Sequence, residues 1–407
     1  MRRYVPLVCL ALLHTIVDTS ALLVSPLWDR LTVHCALAGT GLFVVMLSHS
    51  MPTSVAQGVF GYLREKKPMA WLLFAGPTVA VLSLTVVGGV AAPDRVWGLC
   101  ALFVVGGLAV GAFHPEAAVL AGRLLPGNRT RGLAVFMLGG SLGLSLGPVL
   151  SGYVVDRHGL QGLLLLMPWL LALIPALYWG VCRVGPETAE PSEDHEARRL
   201  RLDQMFDGRI GLALYLFVVC SFRLVPNMGM SKVISFTLAA RGFDEQSVGL
   251  VQSLFLVSAS AGMSLLAALF PPGWERKFLV VCPLLGVPLL AVWGVESSPT
   301  WLLVAVLVPT GLVLWGTTPT MVSYAQQIFP RGAGVASAIT MGLAWGGGGL
   351  IEAPFTTYFR DLAQPQLAVW AFLPFVGLAG LGALFLPDPR RDATPSGVDR
   401  PHAVDVE

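Results

Sequence analysis

Long apolar stretches divide this chain, and they constrain its fold more than any other feature of the sequence. Each contains about the 20 residues that a helix needs to cross a bilayer, or more. A helix satisfies its own backbone hydrogen bonds in lipid, so we expect an all-α membrane protein with twelve transmembrane helices. The twelve predicted spans are 4–27, 34–62, 69–91, 96–120, 132–155, 159–182, 209–238, 245–270, 278–296, 301–323, 333–357 and 367–386.

The composition agrees with a polytopic membrane protein. Of 407 residues, 55% are hydrophobic and only 12% are charged, against about 25% in soluble domains. The net charge of +2 is too small to indicate a nucleic-acid partner. The six cysteines are scattered without metal-ligand spacing, so we expect no metal, cofactor or disulfide framework. The apolar N-terminus lacks a clear cleavage site and is expected to stay as the first helix.

A single long polar stretch interrupts the interior of the chain. Residues 185–208 are dense in both charge signs and are predicted to form a cytoplasmic linker. It separates an N-terminal six-helix half, 1–184, from a C-terminal half, 209–387. The polar, proline-rich residues 388–407 are expected to be a disordered cytoplasmic tail.

The two halves repeat one another. Pro115 and Pro126 are eleven positions apart, as are Pro319 and Pro330, and the second pair follows the first by 204 positions. Six spans in each half give both halves the same orientation. This indicates a parallel repeat about a pseudo-two-fold axis along the membrane normal.

Lysine and arginine predict the orientation in the membrane. With the N-terminus in the cytoplasm, 19 of the 26 basic residues fall on the cytoplasmic side and five on the outer side. We therefore expect both termini in the cytoplasm and the protein in the inner (plasma) membrane.

Several short motifs carry a family resemblance that covers nearly the whole chain. They are the polar pair His14 and Asp18, Gln57 to Tyr62 (QGVFGY), Phe113 to Glu116 (FHPE), and Tyr324 to Gln327 followed by Pro330. The chain resembles the major facilitator superfamily and, within it, the fosmidomycin-resistance-like branch. The resemblance implies transport of a small molecule by alternating access, through a cavity lined by spans one, four, seven and ten.

The loop after the second span departs from the family pattern. From Gly61 onward it reads GYLREKKP, so Glu65 stands where the family has aspartate, and a later glycine is missing. The resemblance gives Gly61 and this loop a role in gating.

The fifth span partly matches the superfamily's antiporter motif through Gly143, Gly147, Pro148 and Gly152. By resemblance, this match favours efflux in exchange for protons. The residues also have a simpler physical interpretation, because glycines four apart let helices approach closely and proline can kink a helix.

Ionisable residues inside the spans are the main functional candidates, because each costs about 3 kcal/mol to insert unless it is paired or used. His14 and Asp18 share a helix face and could pass protons, or could only fix packing through a hydrogen bond. His114 and Glu116, which flank Pro115, are the other two proton-coupling candidates. Glu116 is expected to carry protons or, alternatively, to pair with Arg123 beside a structural hinge.

Arg223, near the middle of the seventh span, is predicted either to bind an anion or to pair with a carboxylate such as Asp18 or Glu116. Asn227 lies four residues on, on the same face. Lys232 is expected to snorkel towards the outer side. Weaker substrate-binding candidates are Gln57, Tyr324 and Gln326.

The eleventh span contains four consecutive glycines, Gly346, Gly347, Gly348 and Gly349, with Glu352 three residues later. The glycines are expected either to let the helix bend during gating or to pack tightly against a neighbour.

The leading functional hypothesis is a proton-coupled secondary transporter that exports a small anionic or amphiphilic compound or drug. Uptake of a metabolite by proton symport is the alternative. An intramembrane acyltransferase using His14 and Asp18 is a remote third possibility, and a substrate sensor would need an added signalling domain. The expected partners are the substrate, protons and the lipid bilayer, and the chain is expected to act as a monomer.

Overall fold

The computed structural model describes residues 4–124, 129–183, 202–269 and 273–388, and no strand occurs among them. The predicted linker and tail lie largely outside these residues. The twelve long helices are α1 (Tyr4–Leu22), α2 (Gly39–Lys66), α3 (Leu72–Val90), α4 (Val96–Leu124), α5 (Arg129–His158), α6 (Met167–Cys182), α7 (Ile210–Ala240), α8 (Glu245–Leu269), α9 (Glu275–Gly294), α10 (Thr300–Gly316, continued by Thr318–Ile328), α11 (Ala333–Ala338, a π turn Ile339–Leu343, and Ala344–Asp361) and α12 (Ala368–Gly382). The predicted all-α class is confirmed.

The second predicted span differs from the other eleven in being less apolar. Eleven of the described helical stretches are long and apolar enough to cross a membrane, and α2 is not among them. The reason is its polar content, which includes the sequence SHSMPTS at 48–54. With 28 residues, α2 is about 42 Å long at 1.5 Å per residue, and it lies along α4.

The connection between α1 and α2 differs from the prediction. The first span ends early and is followed by the turn Ser25–Leu27 and the short helix Trp28–His34. Ala36 and Gly39 then adopt positive φ angles of 49°, which stop that helix and let α2 begin at Gly39 instead of residue 34.

Local sequence explains two other helix ends. Asp244 caps α8, because its carboxylate accepts a hydrogen bond from the Ser247 N–H at 2.7 Å, and this bond lowers the pKa of Asp244. Pro319 is the second residue of the Thr318–Ile328 segment of α10. Its missing N–H cannot bond to the Trp315 carbonyl, so the helix is interrupted at Thr317. Of the repeat prolines, Pro115 lies inside α4, while Pro126 lies outside the described residues.

The helices form two bundles, α1–α6 and α7–α12, each with its own buried apolar core. The main helix contacts between the bundles are α5 with α8 and α2 with α11. Two residues of the second bundle, Phe236 and Ala353, also join the apolar core of the first.

Glycines of α5 determine how closely this helix packs against α1 and against α8. A Cβ at Gly143 would lie 2.4 Å from the Thr15 carbonyl oxygen of α1, and one at Gly147 would lie 2.7 Å from the Thr19 carbonyl oxygen. These two glycines therefore let α5 pack against α1 within one bundle.

One turn further along, the same helix meets the other bundle. A Cβ at Gly152 would lie 2.4 Å from the Glu245 carbonyl oxygen of α8. A Cβ at Gly249 of α8 would lie 2.3 Å from the Pro148 carbonyl oxygen. The α5–α8 crossing thus has a glycine on each side and no space for a larger residue.

The outer surface of the bundles is apolar, as a lipid-facing surface must be. Exposed tryptophans lie near the helix ends, where the aromatic belts of a membrane protein are found. The most exposed are Trp71, Trp97, Trp169, Trp179 and Trp301, each at least 61% accessible.

Replacing Gly152 by alanine tests the crossing. The added Cβ overlaps the α8 backbone, so we expect G152A to lower the free energy of unfolding by about 1–3 kcal/mol, measured by thermal unfolding in detergent. The matched control is G377A in α12, where a Cβ meets nothing within 4 Å. That change should be neutral or slightly stabilising, because alanine favours helix. Equal effects of the two substitutions would contradict the packing assignment.

Candidate functional site

Three ionisable side chains converge inside the first bundle, two from α1 and one from α4. The Nε2 atoms of His14 and His114 lie 3.1 Å apart. Asp18 sits between them, with Oδ2 at 3.2 Å from His14 Nε2 and Oδ1 at 3.2 Å from His114 Nε2. His14 and Asp18 are buried, and the His114 side chain is 22% exposed. We call these three residues the His–Asp–His cluster.

The backbone of α5 makes room for this cluster and fixes one of its rings. A Cβ at Gly140 would lie 2.4 Å from His14 Cε1 and 2.8 Å from Asp18 Oδ2, so glycine is required there. The ring of Phe136, one turn earlier, stacks on His14 at a centroid distance of 4.0 Å.

The outer nitrogens of both imidazoles determine where their protons lie. His14 Nδ1 is 2.8 Å from the Phe136 carbonyl oxygen, and His114 Nδ1 is 2.7 Å from the Val110 carbonyl oxygen. A carbonyl can only accept, so each Nδ1 must carry a proton. In the neutral rings both Nε2 atoms are then bare, and they face each other and a carboxylate.

Four acceptor atoms this close need a positive charge between them. One additional proton on either Nε2 makes that ring an imidazolium, which can donate to Asp18 and to the other imidazole. The arrangement of the cluster is therefore compatible with holding a proton. Its ligand atoms also lie within 4.8 Å of one another, close enough for all three side chains to reach one metal ion.

Glu116, which the sequence groups with His114, belongs to a different contact. Its carboxylate lies 3.3 Å from Arg64 Nε of α2 and accepts a hydrogen bond from the Met69 N–H at 3.2 Å. The expected partner Arg123 is thus wrong. Glu116 instead ties α4 to α2 and to the loop that precedes α3.

Arg223 is buried in the second bundle, and its contacts decide between the two predicted roles. It donates to the Leu314 carbonyl and to the hydroxyls of Thr317 and Thr318 on α10. The predicted pairing with Asp18 or Glu116 is wrong, because both carboxylates have other partners in the first bundle. Within the described residues, Arg223 has no ion-pair partner.

Several buried polar groups on α7, α10 and α11 have no hydrogen-bond partner among the described residues. They include Arg223 Nε, Nδ2 and Oδ1 of Asn227, and the indole nitrogens of Trp315 and Trp345, whose rings meet edge to face at 5.3 Å. Asn227 is only 3% exposed. Asn227 is one turn from Arg223 on α7, and Trp315 follows Leu314, whose carbonyl accepts from Arg223. A buried cation with unused donors near it in the chain is a candidate for binding an anion.

The weaker candidates lie elsewhere. The Tyr324 hydroxyl donates to the Pro387 carbonyl at 2.8 Å, and the Gln326 amide donates to Ser337, so neither hydrogen bond involves the Arg223 group. Gln57 is half-buried where α2 meets α4 and α11. A Cβ at Gly61 would make only an ordinary contact with Pro115, at 4.0 Å.

The four glycines of α11 lie within a continuous helix and face two neighbours. Cβ atoms on Gly346 and Gly349 would meet Ser54 and Ser50 of α2, at 3.1 and 3.2 Å. Those on Gly347 and Gly348 would meet Ser221 and Leu224 of α7, at 2.4 and 2.9 Å. The irregular part of α11 is the π turn Ile339–Leu343, just before the glycines.

Lys232 does not snorkel, so that expectation is wrong. It is 4% exposed and pairs with Glu352 of α11, which is fully buried. In the sequence, both residues lie within otherwise apolar spans, the seventh and the eleventh. An unpaired charge of either sign is costly inside a membrane span. Two opposite charges on spans of the same half, α7 and α11, could therefore have been predicted to pair.

Two helical bundles, a membrane-facing exterior and ionisable groups buried at the bundle centres define a multi-pass membrane transporter, not an enzyme. The model of the Major Facilitator Superfamily matches residues 7–351, and the chain belongs to this family. The acyltransferase hypothesis is therefore set aside.

Known proteins of this family resemble the chain over most of its length. The fosmidomycin resistance protein of Escherichia coli (strain K12) is 25% identical over 94% of this chain and 92% of its own. The MFS-type transporter YfnC of Bacillus subtilis (strain 168) is 25% identical over 95% of this chain and 94% of its own. Among solved structures, a D-xylose-proton symporter superposes with a TM-score of 0.73 at 13% identity, covering 95% of this chain and 98% of its own.

A double-mutant cycle tests the assignment of Glu116 as an ion-pair partner. E116Q and R64Q should each lower stability, because each removes the ion pair that joins the two side chains in a mostly buried site. The double variant should be more stable than the sum of the two effects predicts, by about 1–3 kcal/mol in thermal unfolding. Strictly additive effects would mean that the two side chains act independently.

Proposed function

We propose that this chain is a proton-coupled efflux transporter of the inner membrane that exchanges protons for a small anionic or amphiphilic compound by alternating access. The observation that carries the proposal is the His–Asp–His cluster, whose fixed Nδ1 protons leave a site that one more proton must fill. The cluster is proposed to load its proton on the outer side and release it to the cytoplasm.

The second bundle supports an anionic substrate. Arg223 is a permanent charge without a compensating carboxylate among the described residues, and guanidinium binds carboxylate or phosphate oxygens in a fork. Asn227 and the two indoles add donors that a ligand oxygen would satisfy. In this proposal the proton binds in the first half and the charged group of the substrate binds in the second half. Motion of the halves relative to each other can therefore couple proton binding to substrate binding.

The contacts between the halves support a state that is closed on the proposed outer side. Arg30 pairs with Glu245 at 3.3 Å, and the Gly39 N–H donates to Asp361 at 2.7 Å. Ser253 of α8 also donates to the Ser145 carbonyl of α5 at 2.6 Å. The first two contacts join the bundles at helix ends assigned to the outside by the charge distribution, and the Ser253–Ser145 contact lies further inside α5 and α8.

The direction of transport is inferred from the antiporter-like glycines of α5 and from the likeness to a fosmidomycin resistance protein. Uptake by symport would use the same two sites, but the substrate and the proton would then cross the membrane in the same direction. The flux measurement below separates these alternatives, because antiport moves the probe against the proton flow and symport moves it with the flow.

Fosmidomycin flux in proteoliposomes under an imposed pH gradient tests the proton site. In the wild-type chain the gradient should drive the probe in the direction opposite to the protons. Its distribution should change by up to about tenfold per pH unit for one proton exchanged, because one pH unit corresponds to about 1.4 kcal/mol. Asp18→Asn removes the carboxylate that holds the imidazolium, so D18N should respond less than about twofold. Addition of a metal chelator should leave the wild-type response unchanged. A wild-type flux that ignores the gradient would refute the proposal.

Gly140→Ala provides a variant that disturbs the cluster without removing any titratable group. Its Cβ overlaps the His14 ring, so the gradient response should fall as it does in D18N. The matched control is Gly41→Ala, where a Cβ meets nothing within 4 Å and the response should remain. A normal response in G140A would argue that the arrangement of the cluster is irrelevant to coupling.

Binding of a matched pair of probes tests the anion site. The wild-type chain should bind benzoate more tightly than the neutral benzamide, and Arg223→Ala should weaken benzoate binding by about tenfold or more, the loss expected for one charge-assisted hydrogen bond. Benzamide binding should hardly change. Tyr324→Phe is the control, because that hydroxyl bonds to Pro387. Equal loss of both probes in R223A would indicate a packing role for Arg223.

A further inference from the structure

A second buried ionic centre lies in the C-terminal half, apart from Arg223 and from the His–Asp–His cluster. Glu352 of α11 is 0% exposed and Lys232 of α7 is 4% exposed. Their side chains are in direct contact. Replacing such a pair by apolar residues is often neutral or stabilising, so stability alone is a weak reason for its presence.

We propose that Glu352 is a second proton-binding group of the transporter, which takes up a proton from the outer side when the halves separate there. This inference rests on the proposed transport function and adds a proton site in the other half. The proton comes from outside water and binds to the Glu352 carboxylate. Lys232 remains an ammonium group throughout.

The surroundings of Glu352 accommodate both of its protonation states. As a carboxylate, it accepts from Lys232 and from the Thr356 hydroxyl at 2.7 Å. As a neutral acid, it can donate to the same hydroxyl, because a hydroxyl group both donates and accepts. Gly229 keeps the space open, since a Cβ there would lie 2.5 Å from the Phe372 ring and 3.4 Å from Glu352 Oε2.

Lys232 also has alternative partners when Glu352 is neutral. Its Nζ lies 3.4 Å from the Met228 carbonyl oxygen and 5.8 Å from the centre of the Trp28 ring. An ammonium group near an aromatic face is attracted to it, so Lys232 need not be left without compensation.

Trp28 belongs to the opposite half and covers this centre. It is 2% exposed and follows the turn Ser25–Leu27, which the second half holds through two hydrogen bonds. Ser235 donates to the Pro26 carbonyl at 2.8 Å, and Gln252 donates to the Ser25 carbonyl at 3.0 Å. When the halves separate on this side, Trp28 must move away, and water can then reach Lys232 and Glu352.

Few other ionisable groups face the pair. On α2, His49 meets Trp28 edge to face at a centroid distance of 5.4 Å. Beyond Trp28, towards the helix ends, are Asp29, Arg30, Arg360 and Asp361. Helix α12, which also packs on α7 and α11, has no ionisable side chain in its sequence. Among the described residues, Lys232 is therefore the charged side chain in direct contact with Glu352.

Infrared difference spectroscopy of the full chain in nanodiscs, without substrate or gradient, tests the proposal. Acidification should produce the carbonyl-stretch band of a newly protonated carboxylic acid, and Glu352→Gln should reduce that band at least about tenfold. In D18N the Glu352 band should persist. A spectrum unchanged by E352Q would overturn the proposal, because the pair would then be permanently charged.

Thr356→Val keeps the test decisive if E352Q does not fold. This change leaves Glu352 in place but removes the hydroxyl to which the neutral acid donates, so the band should shift in frequency. No shift would overturn the proposal. Failure of the proposed function is distinguishable, because it appears as a flux that ignores the pH gradient, whereas failure of this inference appears as an absent Glu352 band in a chain whose flux responds.

Discussion

The cost of a buried charge in an apolar environment is the constraint on which the rest of this structure depends. The charge of Asp18 is compensated by the two imidazoles on either side of it, and the charge of Glu352 is compensated by Lys232. The charge of Arg223 is compensated only in part, by carbonyl and hydroxyl oxygens that carry no full charge. A charge that is stabilised by dipoles alone can accept an anion, and a carboxylate shared by imidazoles can accept a proton. The different solutions separate the proposed roles of the two halves.

The packing of the helices places the contact between the two bundles close to the proposed proton site. The bundles meet mainly along α5–α8 and α2–α11, and the α5–α8 crossing is narrow because glycine lies on both sides of it. In the proposed alternating access, this close contact is the place where one bundle would turn against the other, while ion pairs and hydrogen bonds between the halves such as Arg30–Glu245 would break. The cluster itself touches α5 through Gly140, so the helix that meets the other half also supports the proton site.

Much of the fold could be predicted from the sequence, because span length and apolar content depend on the bilayer more than on the tertiary structure. The site was predicted less well. His14 and Asp18 were paired correctly by their four-residue spacing, but the contact of His114 with Asp18 joins α1 to α4 and leaves no local pattern. Glu116 is two residues from His114, yet it points to Arg64 instead, because neighbours two apart in a helix do not face the same way. The Lys232–Glu352 pair likewise depends on which helices are neighbours, which spacing alone does not reveal.

The central claim is that the His–Asp–His cluster holds one exchangeable proton between rings whose outer nitrogens are already protonated. Nitrogen-15 NMR of labelled histidines in the wild-type chain, assigned with His14→Gln and His114→Gln, measures this directly. The account predicts that Nδ1 of both rings stays protonated over the whole pH range, and that Nε2 of one ring gains a proton on acidification. A bare Nδ1 on either ring, or two Nε2 atoms that never gain a proton in the folded chain, would contradict it.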